Sequence, residues 1–88
     1  MPSSDLTARM YFDQGHIAFG RADYAAAEDY FKKAVEKDPQ YSEAHRLLAE
    51  SFEKQGYNKR ARNAWERLSR ITRDVGEQAE IKKRIEAL

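Results

Sequence analysis

Cysteine is absent from the 88-residue chain, so disulfide and thiolate chemistry are excluded and the redox compartment is left open. Glycine is scarce. Its four occurrences, Gly15, Gly20, Gly56 and Gly76, are scattered among helix positions and turns, and no glycine-rich loop of the kind that cradles a phosphate occurs. The two histidines, His16 and His45, lack the His-x-x-x-His or Glu-x-x-His spacing that sets ligands on one helix face. These absences point to no metal, no cofactor and no catalysis. An excess of charge is also missing: 16 Lys and Arg stand against 15 Asp and Glu, so the whole molecule is not steered toward nucleic acid or a membrane surface. No run approaches the ~20 apolar residues of a membrane span. The opening Met1-Pro2-Ser3-Ser4-Asp5 has no apolar core for secretion, so the expectation is a cytoplasmic protein with no membrane contact.

What remains suits a helical, folded domain. Charged residues make up 35% and hydrophobic ones 41% of the chain, which is read as a single domain over 1–88. A chain this short buries only about 60–65% of its unfolded surface, so each packed aromatic matters. Punctuation and period place five helices. The first starts near Ser4 or Asp5 and stops by Gly20 or Arg21. Asp23 caps a second that runs to about Lys37 and is closed by Asp38-Pro39, because proline disfavours helical geometry in the residue before it. A third covers roughly Ser42 to Gln55 and ends at Gly56, which adopts a left-handed turn cheaply. Asn58 opens a fourth that reaches about Thr72. Asp74 with Glu77 forms a capping box for a fifth, which ends near Leu88.

The chain also echoes itself at an offset of 34 residues. Ala27-Glu28-Asp29-Tyr30-Phe31-Lys32-Lys33-Ala34 is answered by Ala61-Arg62-Asn63-Ala64-Trp65-Glu66-Arg67-Leu68, small for small and aromatic for aromatic. Ahead of these, Tyr11, Gln14, Gly15 and Ala18 are answered by His45, Leu48, Ala49 and Phe52, and Ala22 by Gly56. The period and residue classes resemble the tetratricopeptide repeat, a helix–turn–helix unit of about 34 residues. In the first unit Gly15, Ala27, Phe31, Ala34 and Pro39 fall on the family pattern and Tyr11 fills its tryptophan slot. In the second, Leu48, Ala49, Phe52, Gly56, Ala61 and Trp65 match, with His45 in the large-aromatic slot and Arg73 where proline would stand. Gln14 and Ala18 also depart from the pattern. The resemblance implies an all-α fold of two antiparallel repeats, about 8–41 and 42–74, in a short right-handed solenoid with a capping helix over about 75–88. Phe31 and Trp65 would plug the gap between the helices of each unit, where Gly15 and Ala27 allow close approach.

The function that the resemblance implies is non-enzymatic: holding a protein or peptide partner in a concave groove lined by the first helix of each repeat. Carried onto this chain, the lining is Arg9, Phe12, His16 and Phe19, then Glu43, Arg46, Glu50 and Glu53, then Glu77, Glu80 and Arg84. Phe12 and Phe19 would anchor apolar side chains of a short peptide or amphipathic helix, with ordinary packing at the repeat junction as the alternative. Co-chaperones of the family clamp a terminal carboxylate with lysines and asparagines. Phe12, His16, Leu47, Glu77 and Ile81 stand at those places, so that clamp is missing.

Two further surfaces are legible. On the fifth helix Gln78, Ile81, Ile85 and Leu88 form the stripe that faces the second repeat, and the charged Lys82, Lys83 and Glu86 face outward as a cap. On the first helix Leu6, Met10 and Ile17 form an apolar stripe away from the repeat-packing face. It marks a homodimer face or other protein contact, a seat for upstream sequence, or a partly exposed surface. The fourth helix carries Lys59, Arg60, Arg62, Arg67, Arg70 and Arg73, with Glu66 as the only acid among them. A basic stripe can meet phosphates or an acidic partner. The lack of interleaved aromatics and the balancing acids elsewhere weigh against nucleic acid.

Overall fold

The computed structural model describes residues 4–88, and their side chains from residue 7 onward. Within them the chain forms α1 (Ser4–Gly20), α2 (Tyr24–Lys37), α3 (Ser42–Lys54), α4 (Asn58–Ile71) and α5 (Val75–Glu86). Each helix packs on its sequence neighbour, and α1 also meets α3. Ion pairs tie α3 to α5, so α1, α3 and α5 make one layer and α2 and α4 the other. This is an all-α helical repeat.

The two units end their helices with the same devices, 34 residues apart. After α1 the amide of Asp23 reaches back to the Ala18 carbonyl at 2.9 Å, and after α3 the amide of Tyr57 reaches the Phe52 carbonyl at 2.9 Å. Such closures need a left-handed residue, and Ala22 and Gly56 supply it with φ of 60° and 80°. Glycine takes this conformation freely, whereas alanine loses roughly 1–2 kcal/mol to its Cβ. Offset by glycine's greater unfolded freedom, Ala22→Gly is expected to stabilise the fold by about 0.5–1 kcal/mol, read as a higher midpoint in urea. A lower midpoint would mean that the Ala22 methyl makes packing contacts that outweigh its strain.

The helix-to-helix turns between units also correspond. Asp38 Oδ1 accepts from the Gln40 amide at 3.1 Å, and Thr72 Oγ1 accepts from the Asp74 amide at 3.2 Å. Thr72 is extended at the end of α4, so a side-chain turn ends the helix where Arg73 replaces the expected proline. The capping box expected at Asp74 is only half formed. Asp74 Oδ1 accepts from the Gly76 and Glu77 amides, but Glu77 does not return the bond, because its carboxylate is turned to Arg46.

Phe31 and Trp65 are fully buried between the helices of their units, together with Ala27, Ala34, Ala61 and Leu68. Gly15 faces the Phe31 ring across the first unit. A Cβ built there would lie 2.7 Å from the Phe31 ring. Ile81 is buried, and Ile85 and Leu88 pack partly against the core, so the expected stripe of α5 does face the second repeat. Gln78, expected on the same stripe, is exposed and donates to the Ser69 and Thr72 carbonyls.

Candidate functional site

The layer α1–α3–α5 carries the residues expected to line a groove, and five of them, Arg46, Glu53, Glu77, Glu80 and Arg84, are already bonded to one another. Arg46 on α3 donates to Glu80 Oε1 at 2.7 Å and to Glu77 Oε2 at 2.9 Å, both on α5. Burial disfavours its charge, but the two carboxylates outweigh this and raise its pKa. Glu77 in turn is held below the usual carboxylate range, first by the Thr72 hydroxyl and then by Arg46. Arg84 lies 3.5 Å from Glu53 Oε2, which also accepts from Trp65 Nε1. Arg46 and Arg84 both sit over the indole of Trp65, with 5.5 and 4.7 Å to the ring centroid. Partly exposed ion pairs are worth about 1 kcal/mol or less each, so this cluster chiefly fixes where α5 lies rather than how stable it is. Its spacing was visible in the sequence: the charges complement each other at 31 and 34 residues, across neighbouring helices of one layer.

On α1, Arg9 is paired with Asp13 at 3.1 Å. Phe12, expected either to anchor a partner or to pack at the repeat junction, is only 8% exposed. Its ring stacks on Tyr41 at 4.9 Å and tilts against Phe31 at 5.7 Å, because Tyr41 stands at the start of α3 and closes the seam over it. Phe19 is partly buried and meets Tyr24 edge-on at 5.2 Å, which leaves it a share of open surface. His16 and Glu43 are exposed and Glu50 is half-buried. Among the described residues neither glutamate has an ion-pair partner within 4.0 Å.

Met10 and Ile17 stand on one stripe of α1 and are 63% and 49% exposed. Leu6, expected to extend that stripe, lies outside the residues whose side chains are described.

A second surface, between α2 and α4 over α3, was not foreseen as a site. Arg60 and Arg67 from the basic stripe of α4 line a cleft of about 310 Å³ there, while Lys59, Arg62 and Arg73 do not. His45 lines the same cleft from α3, buried as its sequence slot implied. Its Nε2–H donates to the Pro39 carbonyl at 2.9 Å. Burial holds its pKa below the ordinary value; the Pro39 bond opposes this and Arg67 adds to it. The signal for this cleft lay in pairing the α4 stripe with the apolar positions of α2 and α3.

Among the described residues no group of three His, Cys, Asp or Glu could hold a metal ion. No helix among them is long and apolar enough to cross a membrane. Compared with models of known families, residues 12–74 match one described as the tetratricopeptide repeat. No curated protein matched the chain.

Proposed function

The chain belongs to the tetratricopeptide repeat family, whose repeats generally mediate protein–protein interaction, and we propose that it is a non-enzymatic module binding a basic, apolar-faced partner segment against α1 and α3. The observation that supports this is the charge left unspent on that layer. Arg9, Arg46 and Arg84 are each engaged by carboxylates of this chain, whereas among the described residues Glu50 and Glu43 have no ion-pair partner within 4.0 Å, Glu43 meeting only the more distant charge of Arg9. On α1 of the same layer His16 is exposed and Phe19 is partly so. A helix or strand with lysines or arginines on one side and an apolar residue for Phe19 complements this surface. A synthetic amphipathic peptide of lysine and leucine is the probe. Glu43→Lys with Glu50→Lys is expected to weaken its binding about tenfold by calorimetry, with the thermal melt unchanged. Unchanged affinity would remove this face from the account.

A second reading is favoured by the exposure of Met10 and Ile17. Two copies that bury this stripe about a two-fold axis would form a closed, self-complementary pair. Each such side chain contributes about 1.5–3 kcal/mol when fully buried, so one central charge splits the pair. The wild type is then expected to sediment at twice its chain mass and Met10→Asp as a folded monomer. A wild type that stays monomeric at high concentration excludes the dimer.

A further inference from the structure

We propose that the cleft between α2 and α4 is a second binding site, on the opposite layer, for an acidic protein segment that carries a large apolar side chain. The cleft of about 310 Å³ continues into an adjoining one of about 400 Å³, the two sharing Val35, Glu36, His45 and Arg67. Together they make a trough running from Phe52 to Ile71. Its floor is apolar: Leu48, Phe52 and Ala64 are buried there, with Val35 and Ile71 partly so. Volumes of this size accommodate a large side chain and a stretch of backbone.

The rim has the opposite character. Arg60, Arg67 and Arg70 project from one stripe of α4, and among the described residues none has an ion-pair partner within 4.0 Å. Arg60 rests on the Tyr57 ring at 5.0 Å, which orients its guanidinium without neutralising it. Lys32 is already paired with Glu28 at 2.6 Å, and among the described residues Glu36 is the one carboxylate that lines the trough. Arg60 shares its charge with the Glu28 carboxylate, so Arg67 and Arg70 are the uncompensated charges, and around an apolar floor they complement carboxylates that flank a leucine or phenylalanine.

An independent observation lies in the wall. His45 is only 6% exposed, and its Nδ1 has no hydrogen-bond partner. Since the Pro39 carbonyl can only accept, Nε2 carries the proton and Nδ1 presents a lone pair. That atom is itself closed to solvent, so its unmatched lone pair is reached only where the wall parts around an occupant, whose donor would then relieve its cost. A polypeptide brings backbone N–H groups, whereas the sugar-phosphate backbone of DNA has none. Phe52, the aromatic ring of the floor, is buried and covered by Lys32 at 5.7 Å, so bases find no stacking platform. The depressed pKa of His45 keeps it neutral and accepting at neutral pH.

The test uses a short fluorescein-labelled peptide in which glutamates flank a single leucine, followed by anisotropy. Controls are the same peptide with serine for leucine and a single-stranded oligonucleotide of equal charge. The leucine peptide is expected to bind about tenfold or more tightly than the serine peptide. Arg67→Glu with Arg70→Glu, both at exposed positions, should weaken it by about tenfold or more and leave the melt unchanged. In amide spectra the largest shifts should fall on His45 and Ala64. Glu43→Lys with Glu50→Lys should not weaken this binding, which separates the failure of this site from that of the α1–α3 face. Equal binding of the serine peptide, tighter binding of the oligonucleotide, or indifference to the arginine reversals would each overturn the proposal.

Discussion

Trp65→Ala is expected to unfold much of the chain at room temperature, and Phe31→Ala to do nearly the same. Both rings are fully buried. Truncating such a residue removes its transfer energy and leaves a cavity, at a cost of about 3–5 kcal/mol, against a total stability of roughly 5 kcal/mol for a chain short enough to lie at the low end of the usual range. Trp65 carries more than its volume. Its Nε1–H is given to Glu53, and Arg46 and Arg84 lie over its indole, so its loss also frees the cluster that holds α5 against α3. A melt followed by circular dichroism should show the folded baseline lost at 25 °C. A midpoint lowered by only about a degree or two would mean that Trp65 is not the plug of the second repeat.

Gly15→Ala should destabilise the chain although two arguments point the other way. Alanine is about 1 kcal/mol better than glycine inside a helix, and the equivalent position of the second repeat, Ala49, already carries it. In the first repeat the added Cβ would lie 2.7 and 2.8 Å from atoms of the Phe31 ring. That ring is fully enclosed and cannot swing aside, so overpacking of about 1–3 kcal/mol outweighs the propensity gain. The expected net loss is up to about 2 kcal/mol in denaturant. Gly15→Ala combined with Phe31→Leu should lose less than the two separate losses added together, since the smaller side chain vacates the contact. A stabilised Gly15→Ala variant would show that α1 and α2 can part without penalty.

Most of the fold was legible because local chemistry and period agreed. Asp23, Asp38-Pro39, Gly56 and Asp74 set helix bounds through caps and turns that depend on neighbours in sequence, and the structure keeps them within a residue or two. The plugs Phe31 and Trp65 followed from small and aromatic residues recurring at one offset. The surface was less legible, since a helical stripe says which residues share a side but not what arrives to cover it. Phe12 shares a stripe with Arg9 and His16, and only the placement of Tyr41 after a turn decides that it is sealed. Glu77 had two uses open to it, the Asp74 amide and Arg46, and the charged donor from another helix won. The α2–α4 cleft joins side chains of three helices, so neither the basic stripe nor the buried histidine announced it alone.

The central claim is that the α1–α3 face of this repeat module holds a protein segment. It is tested most directly by titrating the lysine–leucine peptide into ¹⁵N-labelled protein and following every backbone amide. The expected result is saturable shifts confined to α1 and α3 around His16, Phe19, Glu43 and Glu50, with Arg60 and Arg67 on α4 unmoved. No saturable shifts, or shifts centred on α2 and α4, would contradict it.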